Sequence, residues 1–202
     1  MNEIHATAII GDRVRMGERN VIGPYAVLEG EIELGSGNSI GPHVVIFGPC
    51  KLGDDNSIDP HVVINSAAEI RGENRRGTQI GSRNVLKEFV AVQGGDSSVG
   101  DDCFLMDKTH VAHDCRVGNY VTMAPTVILA GHVTVGDYAT IGIGCNIHQH
   151  VTIGEGAMIG MNSAVTKDVK PWTTAFGSPA RFAGMNAHGM KKWGRDSESL
   201  GK

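Results

Sequence analysis

The sequence predicts an all-β protein wound as a parallel β-helix, and three observations predict it. The first is a six-residue period. From Val99 to Lys170 the chain divides without a gap into twelve hexads, each opened by an aliphatic residue: VGDDCF, LMDKTH, VAHDCR, VGNYVT, MAPTVI, LAGHVT, VGDYAT, IGIGCN, IHQHVT, IGEGAM, IGMNSA and VTKDVK. A short fixed period marks a solenoid, and hexads mark a parallel β-helix in which three of them complete a coil. The second observation is composition. With 28 glycines and only 5 % aromatic residues, the chain suits a narrow coil with aliphatic walls and tight corners. The third is length, since 202 residues suffice for one solenoid domain with a continuous core.

Taken in order, the opening stretch MNEIHATAII is already coil-like and reads neither as a secretion signal nor as a membrane span. Residues 10 to 64 keep one phase through three coils. The phase breaks from Asn65 to Gln79, where EIRGENRRG is polar and lacks the hexad beat, so a protruding loop is expected. Its Arg71–Arg76 stretch reads as a solvated loop, with a phosphate or carrier contact as the lesser reading. IGSRNV and LKEFVA resume the pattern before a second interruption at Gly94–Ser98. Four uninterrupted coils follow to Lys170. Pro171-Trp172 is expected to end the solenoid, because proline removes an amide donor from the ladder. This gives a β-helix domain over 1–172 and an extension over 173–202, in which Asn186–Lys202 forms a short helix capping the last coil.

A net charge of −4 gives no general attraction to nucleic acid or to an anionic membrane. The cysteines Cys50, Cys103, Cys115 and Cys145 are widely spaced. The last three occupy the fifth hexad position, where small buried residues belong, so free thiols in a reducing compartment are expected. A soluble cytoplasmic protein follows, with no membrane insertion.

Coil arithmetic assembles a candidate site. His113 holds the third position of VAHDCR; eighteen residues on stands Gly131, and eighteen further Gln149. The adjacent column reads Asp114, His132, His150. An imidazole beside a carboxylate, one coil from a glycine amide, suits acyl transfer. A neutral His113 can take a proton from an attacking hydroxyl or amine, Asp114 can orient the ring, and the Gly131 N–H can donate to an oxyanion. Pro125, Ile143 and Met161 form an apolar stripe on another outer corner, suited to an acyl groove, an oligomer contact, or both in a C3 assembly. His110 and His113 also spell HxxH, a weaker pointer to zinc.

The stretches HVAHDCRVGN, LAGHVTV, IHQHVTIG and GSPARFAGMNAHGMKKWG, in this order, resemble the bacterial acyl-[acyl-carrier-protein]–UDP-N-acetylglucosamine O-acyltransferase family. The resemblance runs in register over about residues 80–195 and more loosely before. It implies left-handed winding and a cytoplasmic homotrimer with active sites between subunits. It further implies acyl transfer from acyl carrier protein to the 3-position of a UDP-GlcNAc-like sugar, with no bound cofactor and no metal. Carried over, His113 is the general base with Asp114 as its partner, and Gly131 supplies the oxyanion donor. His110, His132, His148 and Gln149 match substrate-contacting positions. Asn186 and Lys192 match the segment that meets the nucleotide, with Lys where the family usually has Arg. Met161 matches the position that sets acyl-chain length, which implies short or medium chains. The family's sugar-contacting segment is replaced here by NSAAEIRGENRRG, His188 stands where an acidic residue is usual, and the family's C-terminal helical domain is not expected before Lys202. Two other readings stand beside this one: an acetyl-CoA-dependent N-acetyltransferase acting on a nucleotide amino sugar, with acyl-CoA as donor, and a non-catalytic trimeric binding solenoid.

Overall fold

The computed structural model describes residues 1–69 and 76–195, and over them the hexad period becomes a three-sided parallel β-solenoid. One face stacks eleven strands, the second nine and the third eight. Most strands are two or three residues long. In Thr122–Met123, Ile128–Leu129 and Thr134–Val135 the aliphatic opener of the next hexad points inward and is buried, while its predecessor faces out. The coil repeat of eighteen is seen directly in the pairings Thr122↔Thr140, Ile128↔Asn146 and Thr134↔Thr152. The buried openers stack into one aliphatic core running the length of the solenoid.

Sharp corners require left-handed backbone at the fourth hexad position, and non-glycine residues adopt it: Asp114 at φ 59°, His132 at 62° and His150 at 63°. That conformation is disfavoured by about 1–2 kcal/mol per L-residue. It is held because each corner is bonded to its neighbour, as in His132 N to His113 O (3.0 Å) and His150 N to Gly131 O (3.1 Å).

The fifth hexad position is buried, as expected for small residues. In the early coils it carries a ladder of Asn20, Asn38, Asn56 and Asn84, all 0–1 % exposed. The Asn38 carbonyl oxygen accepts from both the backbone and the side-chain N–H of Asn56 at 2.9 Å. The ladder ends where Cys103 follows, its backbone N–H donating to Asn84 Oδ1 at 2.8 Å. All four cysteines are buried and unpaired with one another. Burial pushes the Cys50 and Cys103 thiols up to about 12 and that of Cys115 to about 11.

The first interruption is flanked by strands Val63–Ser66 and Thr78–Ile80; its residues 70–75, with most of the Arg71–Arg76 stretch, lie outside the described residues. The second interrupts the hexad phase but not the strand ladder. Ser97–Val99 is a full strand, paired to Thr78–Ile80 on one side and Arg116–Val117 on the other. The spacing is 19 for Ala91↔His110 (110 − 91) but 18 for Ser98↔Arg116 (116 − 98), so a single extra residue is absorbed at this corner.

The expected stop at Pro171-Trp172 is displaced. Strand Thr173–Gly177 still pairs in parallel with Met158–Ile159, because Pro171 sits at a corner where its missing N–H interrupts no ladder. The chain then turns back into the antiparallel strand Ala180–Met185 and the helix Ala187–Lys192. The helix lies along the flank, where Trp193 meets the rings of Tyr138 (4.6 Å) and Tyr120 (5.5 Å). Residues 193–195 have already left the helix, and the rest of the expected tail helix, from residue 196, falls outside the described residues.

Candidate active site

The corner between strands His110–Val111 and Arg116–Val117 carries His113 and Asp114. Asp114 folds its carboxylate back onto its neighbour, with Oδ2 at 2.8 Å from His113 Nδ1. Both side chains are largely shielded, at 15 % and 17 % exposure. A carboxylate can only accept, so in the neutral ring the proton sits on Nδ1 and the lone pair on Nε2. Arg76 Nη2 donates to the other oxygen, Oδ1, at 2.7 Å. The carboxylate is thus gripped from both sides. From the previous coil, the buried Gln93 accepts the His113 backbone N–H on Oε1 at 3.2 Å. Gly95, at φ +85°, leaves the space beneath: a Cβ there would stand 3.0 Å from His113 Cβ and 3.1 Å from the Asp114 carboxylate.

One coil on, Gly131 lies against the working edge of the ring. A Cβ on Gly131 would fall 2.5 Å from both Cε1 and Nε2 of His113, so glycine is the residue that lets ring and backbone meet. Among the described residues, the Gly131 N–H donates to no protein acceptor, although its carbonyl is bonded. His132 crosses His113 edge-on, with ring centroids 5.1 Å apart and planes at 88°, and His150 stacks on His132 at 4.6 Å. His113, Asp114, Gly131 and His132 are therefore brought together as coil spacing predicts.

The remaining expected residues are spread more widely. His110 lies on the strand entering the corner, half-buried between Ala91 and Ile128 in register, and burial holds its imidazole below the ordinary value and therefore neutral at pH 7. His148 and Gln149 are exposed on the coil beyond Gly131. Asn186 is buried and its amide serves the fold: Oδ1 accepts the Gly189 N–H and Nδ2 donates to Gly156 O at 2.8 Å. Lys192 is exposed on the flank helix, its ammonium 4.8 Å from the Trp193 ring. Ile143 and Met161 are 49 % and 68 % exposed and, with half-buried Pro125, line the corner between the eleven- and nine-stranded faces. His113 is at the corner between the nine- and eight-stranded faces. Sequence reasoning missed Arg76 and Gln93, which lie in or beside the phase breaks, where counting by eighteen gives no neighbour, and also Gly95, which stands eighteen residues before His113 in its own column. Stepping that column one coil back, together with the Gly-Gly pair at 94–95, was the available signal of a close approach.

The family model for bacterial transferase hexapeptide repeats matches residues 13–48 and 132–167. An acyl-[acyl-carrier-protein]–UDP-N-acetylglucosamine O-acyltransferase of Thermodesulfovibrio yellowstonii is 39 % identical over 99 % of this chain and 81 % of its own length. The solved UDP-N-acetylglucosamine acyltransferase of Campylobacter jejuni superposes with a TM-score of 0.94 at 29 % identity, covering 98 % of this chain and 80 % of that one. A perosamine N-acetyltransferase of Caulobacter crescentus, solved with CoA and GDP-perosamine, reaches only 0.57 over 64 % of this chain and 56 % of its own, at 29 % identity. The fold is a left-handed parallel β-helix of hexapeptide repeats. The likeness extends over almost every residue, and the chain belongs to the acyl-[acyl-carrier-protein]–UDP-N-acetylglucosamine O-acyltransferase family.

Proposed function

We propose that this chain transfers a short or medium acyl group from acyl carrier protein to the 3-position of a UDP-N-acetylglucosamine-like sugar, with His113 as general base. The observation that carries this reading is the His113–Asp114 pair at 2.8 Å with Gly131 set against its opposite ring edge. The acceptor group on the sugar gives its proton to Nε2 as it attacks the thioester carbonyl. Asp114 holds Nδ1–H and stabilises the imidazolium that forms. The carbonyl oxygen becomes an oxyanion beside the unbonded Gly131 N–H. Collapse expels the carrier thiolate, which recovers the proton from the imidazolium. His110, His132, His148 and Gln149 surround the acceptor, Lys192 meets the nucleotide charge, and Asn186 shapes the segment that presents it.

Met161 sets the limit on acyl length. It lies on a different corner from His113, so groove and base must come from neighbouring chains. The nine-stranded face between those corners turns Ile9 and Ile128 outward at 61 % and 44 % exposure, flanked by the half-buried Val27, Val45, Val63, Ala91 and Ala164. An apolar face of this kind fits a homotrimer contact. No helix among the described residues is long and apolar enough to cross a membrane, and the working environment proposed is the cytoplasm. The test is to incubate the protein with UDP- and dTDP-sugars against acyl-carrier and CoA thioesters, then identify products by mass spectrometry. A 3-acylated UDP-sugar formed from the carrier thioester is expected. Transfer only from acetyl-CoA to an amino sugar would replace this reading with the N-acetyltransferase one.

A further inference from the structure

The Asp114 carboxylate has a second imidazole in reach. His132 Nε2 stands 3.9 Å from Oδ2, the same oxygen that lies 2.8 Å from His113 Nδ1, and one donor atom from each of the three side chains fits within 4.8 Å. Four-coordinate Zn²⁺ with bonds of about 2.0–2.1 Å places its ligands roughly 3.3 Å apart, a value between the two separations measured here. Two imidazoles and a carboxylate are a ligand set suited to Zn²⁺ and its first-row neighbours. The donors are also held. Gln93 fixes the His113 backbone, the His150 ring backs His132, and Arg76 occupies Oδ1, leaving Oδ2 to face both imidazoles. At 45 % exposure, the His132 side chain leaves the cluster open to solvent.

We propose that His113, Asp114 and His132 form a reversible site for a divalent transition-metal ion, and that its occupation switches the acyltransferase off. The blocking step follows from tautomerism. A metal bonded to Nδ1 moves the ring's one N–H proton to Nε2, with no net proton released. The lone pair that would accept the acceptor's proton is then gone, and Asp114 is held by the metal. The binding half stands on the three donors alone; the blocking half rests on His113 being the general base proposed above.

Chelator-stripped full-length protein is titrated with Co²⁺, read by its visible d–d absorption, and with Zn²⁺ by calorimetry. Saturable binding of one ion per chain is expected, at least tenfold weaker in His132→Ala and in Asp114→Asn. Circular dichroism establishes that each variant is folded. Absence of saturable binding, or binding unchanged in both His132→Ala and Asp114→Asn, overturns the site. Turnover should fall as the ion binds and return with chelator. An ion that binds as described yet leaves turnover intact contradicts the blocking step and, with it, His113 as base, while the product assay above still reads the acyl transfer independently.

Discussion

At residue 131 the side chain is decided by the ring across the coil boundary. In Gly131→Ala the new methyl would meet Cε1 and Nε2 of His113 at 2.5 Å. The imidazole is the movable partner and swings aside, so the backbone persists while the base leaves its place. Turnover is expected to fall roughly 10²-fold, the cost of misplacing a reacting group by about an ångström, with little change in the thermal melt. His113→Ala removes the proposed base outright and should lower turnover by roughly 10²–10⁴-fold with the assembly intact. Activity within a few-fold of the parent in steady-state assays would reassign the proton acceptor.

At the scale of the coil, the two halves of the solenoid fill the fifth hexad position differently. The early asparagine ladder exchanges hydrogen bonds along its length; Asn38 donates to Gly53 O at 2.9 Å and to Asn20 Oδ1 at 3.1 Å while accepting twice from Asn56. Asn38→Ala strands buried groups on both neighbouring coils, each worth about 1–3 kcal/mol when unsatisfied. A melting temperature lower by roughly 5–10 °C is expected in a chain of this size, measured by calorimetry. The hexads made the coils, the corner columns and the His113–Asp114–Gly131–His132 grouping legible, because the first and fifth residues of each hexad must face the core and eighteen residues close a coil. What stayed hidden falls where that rule lapses. Arg76 and Gln93 reach the corner across breaks in phase, and the packing of Trp193 on Tyr120 and Tyr138, which draws the helix to the flank, joins residues 55 or more apart that share no hexad register. Pro171 misled for a related reason: its effect depends on whether it stands in a strand or at a corner.

Across the whole molecule, the base and the apolar stripe sit on separate corners, with the nine-stranded face between them. In the proposed trimer, packing that face against a neighbour would bring one chain's stripe to the next chain's His113. In the proposed groove, a methionine at the far end would halt a chain that otherwise gains about 0.8 kcal/mol per buried methylene. Met161→Gly should therefore move the preferred donor toward longer acyl chains with little change in the sugar's apparent affinity, measured over a series of acyl-carrier thioesters. An unchanged profile would leave the stripe with assembly alone.

The shared site is tested most directly by complementation. On the proposed arrangement, His113→Ala lacks the base on one corner and Ile143→Arg blocks the groove on the other, so each trimer alone should be inactive. In a mixed trimer one interface joins an intact His113 to an intact groove. Random mixing at equal amounts restores roughly a quarter of the sites. Recovery of about that share of parental turnover is the predicted result. A co-expressed mixture no more active than its two components would contradict an active site built between neighbouring chains.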